Sequence, residues 1–353
     1  MSTDRPTMQT VAAAAGVSLM TVSNAYNRPD QLTPDTRERV LQAARLLGYP
    51  GPDPAAQSLR RRSTGAIGVV LTARLTDAFT DPGLVTILHG IASQLSDARR
   101  ALLLVPTSAA EGTFPVRHAI ADALVLCDLA AGDPAVTDAL SRRIPLVTIG
   151  HPKLSGVPLV GIDNAAAAAL AADHLTALGH QRFCVLTVAE DAPAAGPAGS
   201  TGGRPSIAAR AAGFAAALAA AGIGADRVIQ LKTANAAPDA AAVVSGVLAR
   251  PPGQWPTAIF ATTDVLALGA LAAARAAGAA VPRQLSVVGF DDIAESAASS
   301  PPLTTVSQSL FVQGQTAAQI ALRLIAGERP ASKRLTAQLV VRGSTAPPPQ
   351  SPP

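Results

Sequence analysis

Short apolar runs alternate with alanine-rich helical stretches from residue 66 to residue 290, and this alternation constrains the fold more than any other feature. The first run, Ala66-Ile67-Gly68-Val69-Val70-Leu71, has strand length and precedes a helical stretch over about 82–98. Further runs stand at 101–105, 123–126 and 145–149. A second round starts near Val160. There helix 165–178 precedes the run 182–187, helix 208–221 precedes 227–231, helix 238–250 precedes 258–261, and helix 265–277 precedes 285–290. Strands without polar alternation, joined through helices, make a parallel sheet covered on both faces. Two rounds therefore predict an α/β body of two lobes over residues 65–342, with any ligand beyond the carboxyl ends of the strands.

Ahead of this body, residues 1–50 show three short helices. Thr7 is placed to cap a first helix in which Met8, Val11, Ala12 and Ala15 recur at helical spacing. Gly16 supplies a turn, and Ser18 caps a second helix from Leu19 to about Tyr26. Thr33-Pro34-Asp35 opens a third helix with a hydroxyl cap, a proline at the first position and an acid in the first turn. Val40, Leu41, Ala44 and Leu47 are expected on its apolar face, and Gly48 ends it.

Helix, tight turn and helix form the helix-turn-helix pattern. On the second helix Val22 and Ala25 should face inward, leaving Leu19, Met20, Ser23 and Asn24 outward. In this motif the outward face enters the major groove of double-stranded DNA. Asn24 suits a paired contact with adenine, Leu19 and Met20 suit thymine methyls, and Ser18, Thr21, Ser23 and Asn27 suit phosphate oxygens. Thr7, at the head of the first helix, joins these DNA-contact candidates. On periodicity alone, a small helical bundle with surface polar residues is an equal alternative. Charge adds a little: residues 1–62 hold 8 Arg against 5 Asp and Glu, a net of +3, while the other residues of the +4 chain sum to +1. A basic head on a near-neutral body points to nucleic acid at the head.

The core Ala15-Gly16-Val17-Ser18-Leu19-Met20-Thr21-Val22-Ser23 within Val11 to Asn27, continued by Thr33 to Val40 and Leu47-Gly48-Tyr49, resembles the head of the LacI/GalR repressor family. Asp53-Pro54-Ala55-Ala56-Gln57-Ser58-Leu59 resembles that family's hinge helix, within a hinge and linker over 51–64. The resemblance implies that this helix orders on DNA and drives Leu59 into the minor groove. Two turns are marginal alone in water. Arg60 to Arg62 otherwise read as a solvated linker, and Pro50-Gly51-Pro52 is one residue longer than the family's usual connection. Leu19, Met20 and Asn24 depart from the family's commoner residues, so an unusual operator is expected.

Gly161-Ile162-Asp163-Asn164, His174 to His180, Val287 to Ile293 and Pro301 to Val306 are similar to the family's body, and the likeness runs from about residue 7 to 342. It implies a periplasmic-binding-protein-like fold, a homodimer on a pseudo-palindromic operator, and control by a small-molecule effector, carbohydrate in class. Residue by residue, Arg210, Asp291 and Gln308 match effector-contacting positions. The ordinary alternatives are a helix-surface arginine and a loop cap. Phe79, after the first strand, is placed either to pack on a ligand face or to join the core. Cys127, Gly150 and Thr263 stand where relatives carry amides or acids, so a cleft poor in hydroxyl partners is expected.

The remaining features mostly exclude. No run of about 18 apolar residues is free of charges or breakers. The start Met1-Ser2-Thr3-Asp4-Arg5 is not an export signal, which argues for the cytoplasm against a secreted transport-type binding protein. Cys127 and Cys184 have no metal-ligand spacing, and the sequence holds no nucleophile motif or phosphate loop, so no metal, cofactor or enzymatic activity is expected. The Ala-, Gly- and Pro-rich stretch 190–206 reads as a loop near the cleft mouth, and 343–353 as a disordered Pro-rich tail.

Overall fold

The computed structural model describes residues 6–53, 63–71, 75–107, 115–189 and 204–349. The hinge over 54–62, with Leu59 and Arg60 to Arg62, lies outside the described residues, as does the stretch 190–203. The chain divides into two compact units, residues 1–64 and 65–353.

In the first unit, helices α1 (Met8–Ala15), α2 (Leu19–Asn27) and α3 (Pro34–Leu47) pack around Val11, Val22, Ala25, Val40 and Ala44. Thr7, Ser18 and Thr33 cap the three helices by accepting backbone N–H groups, and Gly16 and Gly48 end α1 and α3 in the left-handed conformation. The inner face of α3 is Val40, Ala43 and Ala44; Leu47 is exposed instead of buried, because a three-helix core this small closes on alanine.

The second unit holds two six-stranded sheets. The first runs β11 (Lys333–Arg334), β5 (Leu159–Gly161), β4 (Leu146–Ile149), β3 (Ala123–Cys127), β1 (Ala66–Leu71) and β2 (Ala101–Pro106), all parallel. The second runs β12 (Gln338–Val340), β10 (Thr304–Ser307), β9 (Ser286–Asp291), β8 (Ala258–Ala261), β6 (Phe183–Val188) and β7 (Val228–Thr233), parallel except for β12. Each sheet is covered on both faces. Ile67, Val69 and Leu71 of β1 join one core and Val70 the other, as the two-residue period of a strand requires. Cys184 and Leu186 of β6 divide from Phe183 and Val185 in the same way. The chain passes between the sheets after β5, after β10 and between β11 and β12.

Aromatic residues are only 3% of the chain, so the helices pack by close approach instead of large side chains. Helix α4 (Pro82–Asp97) crosses α12 (Leu310–Ile325) at Gly90 and Gly314. A Cβ on Gly90 would lie 2.1 Å from the Phe311 carbonyl oxygen, and one on Gly314 would lie 2.1 Å from that of Ile87. The remaining helices are α5 (Pro115–His118), α6 (Pro134–Ser141), α7 (Asn164–Ala177), α8 (Pro205–Ala220), α9 (Ala237–Leu248), α10 (Asp264–Ala276) and α11 (Ala294–Ala298).

The expected disordered tail is corrected for residues 343–349. Ser344 is fully buried, accepts from the Thr304 N–H at 2.8 Å and donates to the Val287 carbonyl at 2.6 Å. The Ala346 carbonyl meets His180 Nε2 at 3.0 Å, and the Ala346 N–H donates to Ser286 Oγ at 3.1 Å. Proline keeps this segment out of helix and sheet, but buried hydroxyls and an imidazole on the second lobe give its backbone partners. Residues 350–353 lie outside the described residues.

Candidate functional site

The carboxyl ends of both sheets face one cleft of about 820 Å³, including its solvent-open mouth. In both sheets the chain leaves a central strand, β1 or β6, toward opposite sides, so the cleft lies where the strand order reverses. Its aliphatic lining includes Leu71, Leu84, Ile149, Ile162 and Leu310, and no aromatic side chain lines it among the described residues.

Arg210 on α8, Asp291 at the end of β9 and Gln308 after β10, the three positions singled out by family likeness, meet in this cleft. Arg210 Nη1 donates to Asp291 Oδ1 at 3.0 Å and to the Thr262 carbonyl at 2.8 Å, while Nε donates to Asn164 Oδ1 at 3.0 Å. Its guanidinium carbon lies 3.9 Å from the centroid of the Phe290 ring, a cation–π arrangement. Gln308 Nε2 donates to the same Asp291 oxygen at 2.5 Å. Burial pushes Asp291 up to about 7, against the pull of the Arg210 charge. Its φ of 128° is rare for a residue with a side chain, and such strain collects at functional sites.

Several site residues escaped sequence reasoning. Asp128, directly after β3, also has positive φ, at 48°. One of its oxygens accepts from the Ser206 hydroxyl across the cleft, and the other lies 3.3 Å from His151 Nδ1. Burial alone would raise its pKa; the bonds from His151 and Ser206 and the guanidinium groups of Arg210 and Arg204 outweigh that and hold it below the usual range. Asp81 caps α4 through Oδ1, accepting from Gly83 and Leu84 at 3.0 and 3.2 Å. Its Oδ2 meets Arg204 Nη1 at 3.2 Å and Asn235 Nδ2 at 3.4 Å, both from the other lobe. The one available signal was position: Asp128, like Asp291, is an acid directly after an apolar run, and Asp81-Pro82 is a helix-start pair. The cross-cleft partners carried no local signal.

Two expectations are corrected. Phe79 does not line the cleft and is 71% exposed, because the one-turn helix Asp77–Phe79 buries Ala78 in the first lobe and turns the next side chain outward. Nor is the cleft poor in polar groups: Thr263 does line it, bonded to Asn235 at 2.8 Å, beside Asn164, Ser206 and Gln313. The polar partners come from other elements than the positions read in sequence. Helix α8 also starts at Pro205 instead of Ala208, which makes Ser206 helical.

In the head, Met20 is 70% and Leu19 41% exposed on α2, with Val22 and Ala25 buried beneath. Ser18 Oγ accepts from the Thr21 N–H at 3.1 Å and lies 2.9 Å from Thr21 Oγ1, and Thr7 makes a capping box with Thr10. Ser23, Asn24 and Asn27 are half-buried. Asn27 Nδ2 donates to the Ser23 carbonyl at 3.0 Å and Asn24 Nδ2 to Gln31 Oε1 at 3.4 Å.

Comparison with known proteins bears on both units. Residues 7–51 match the family described as bacterial regulatory proteins, lacI family, and residues 172–345 match the periplasmic binding protein-like domain. An HTH-type transcriptional regulator of Mycobacterium tuberculosis is 38% identical over 359 residues, covering 98% of each chain. The structure of the lac repressor dimer bound to operator and the anti-inducer ONPF is similar at a TM-score of 0.78 and 25% identity, over 97% of this chain and 100% of that one. The complex of the transcriptional regulator CelR with cellobiose is similar at 0.67 and 28% identity, over 96% and 100%. With a capped helix-turn-helix head, a two-lobed body and a relative alike along nearly its whole length, the chain belongs to the LacI family of bacterial regulatory proteins.

Proposed function

We propose that the chain acts as a homodimeric repressor: two copies of α2 enter major grooves of a pseudo-palindromic duplex, and a carbohydrate or related polyol in the cleft sets how tightly they bind. One observation carries this reading. A capped helix-turn-helix with Leu19 and Met20 in solvent shares its chain with a cleft where Arg210, Asp291 and Gln308 converge. Guanidinium and carboxylate side by side suit neighbouring hydroxyls, which donate to one and accept from the other. The cellobiose bound by CelR and the operator bound by the lac repressor dimer support the two ligand classes by likeness. In this reading Leu19 and Met20 touch thymine methyls and Asn24 reads adenine, while Thr7, Ser18, Thr21, Ser23 and Asn27 hold the backbone. An effector that prefers one arrangement of the lobes supplies the coupling, about 1–3 kcal/mol in allosteric proteins. The protein then works in the cytoplasm and catalyses no reaction. No helix among the described residues is long and apolar enough to cross a membrane.

Duplexes selected from a genomic library are expected to share a pseudo-palindrome that a gel shift distinguishes from bulk DNA. A chain that prefers no duplex sequence, with or without sugars, sinks the proposal. On the selected site, Leu59→Ala is expected to weaken specific binding by more than about tenfold, through loss of the minor-groove wedge, and non-specific binding far less. Equal losses would remove the wedge.

The effector's affinity should also depend on pH. A hydroxyl that donates to Asp291 is held more strongly by the ionised carboxylate than by the neutral acid, and in the free protein that carboxyl titrates at about 7. Binding is therefore strongest above pH 8 and falls as pH drops through 7, by up to about tenfold at pH 6. Calorimetric titrations across this range check it; a flat profile would show that the ionised form of Asp291 is not required.

A further inference from the structure

Among the described residues, five side chains bring charge to the cleft: Asp81, Asp128, Arg204, Arg210 and Asp291. Both guanidinium groups are already matched, Arg204 by Asp81 at 3.2 Å and Arg210 by Asp291 at 3.0 Å. Asp128 is a third acid, held by Ser206 and His151. Two of the helix starts at the cleft also have a carboxylate beside them. Asp81 itself caps α4, and the first turn of α8 presents Ser206 to Asp128. At these two positive ends an entering phosphate would meet an internal anion.

We propose that Asp81, by neutralising Arg204 across the cleft, makes this site selective for uncharged polyhydroxylated effectors and against their phosphate esters. The proposal rests on reading the cleft as the effector site. An entering phosphate would have to take Arg204 from Asp81 or Arg210 from Asp291, leaving a buried carboxylate without its cation, and would face Asp128 as well. Uncharged hydroxyls meet no such cost: they donate to the carboxylates and accept from the guanidinium groups with both pairs intact.

The decisive variant is Asp81→Asn. Asparagine caps helices as well as aspartate does, so the bonds to Gly83 and Leu84 are kept while Arg204 loses its counter-charge. The full-length protein is titrated with inorganic phosphate against chloride at matched ionic strength, followed by calorimetry and thermal shift. The unaltered chain should show no saturable phosphate binding at millimolar concentration. Asp81→Asn should bind phosphate at least about tenfold more tightly, the worth of one freed charge-assisted contact. Adding Arg204→Gln to that variant should abolish the gain. Saturable binding by the unaltered chain, no gain in Asp81→Asn, or a gain that survives Arg204→Gln would each overturn the proposal. The effector reading fails separately, if no sugar or polyol shifts the gel-retarded complex of the unaltered protein with its selected duplex.

Discussion

Arg210→Ala is expected to destabilise the body by about 3–5 kcal/mol at pH 8, because it strips a buried carboxylate of its cation. The side chains of Arg210 and Asp291 are only 6% and 12% exposed. The change also leaves Asn164 Oδ1 and the Thr262 carbonyl without their donor and the Phe290 ring without its cation. The loss should shrink toward pH 6. Asp291 already titrates at about 7, and without Arg210 burial raises it further, so at low pH it escapes the penalty by taking a proton. The sign is definite: the variant loses stability, relative to the unaltered chain, as pH rises. Urea denaturation at pH 6 and pH 8 measures it, and an equal deficit at both would contradict a stranded carboxylate. Arg210 therefore serves structure besides its proposed place in ligand binding, and Arg210→Lys is the better probe of effector response alone. It keeps the charge and loses the fork that holds Asn164, Thr262 and Asp291 together.

Gly90→Leu is expected to be of similar size for a different reason. Its Cβ would lie 2.1 Å from a backbone oxygen of α12, which no rotamer relieves, so the two helices must part. A cost of about 3 kcal/mol or more is expected, at or above the top of the usual range for an overpacked core. Gly246→Ala in α9 is the control: its Cβ meets nothing within 4 Å, and relief of backbone entropy should add about 0.5–1 kcal/mol. Thermal denaturation should separate the two glycines in opposite directions. If Gly90→Leu melts with the unaltered protein, close approach is not what joins α4 to α12.

Much of the molecule was readable without coordinates. Strand Ala66–Leu71 stands where the apolar run placed it, and the caps at Thr7, Ser18 and Thr33 are the hydroxyls expected there. Helix periodicity, caps and turn glycines depend on residues within one turn of each other, so they survive in the sequence as local pattern. The cleft was readable only in part. Arg210, Asp291 and Gln308 came from likeness to a family, and Phe79, argued from its place after a strand, was misplaced by the orientation of a single 3₁₀ turn.

What the sequence by itself determined is the alternation of elements up to residue 290, the division into a head and a two-lobed body, and most of the residues apolar enough to form each core. Tertiary structure alone decided which charges meet. Asp81 and Arg204 are 123 positions apart, and Asp128 and Ser206 are 78 apart. Nothing near either partner encodes the other, because their contact exists only once two separately built sheets bring their carboxyl edges together. Electrostatic pairing acts through space whereas periodicity acts along the chain, and the binding chemistry of this protein lies in the former.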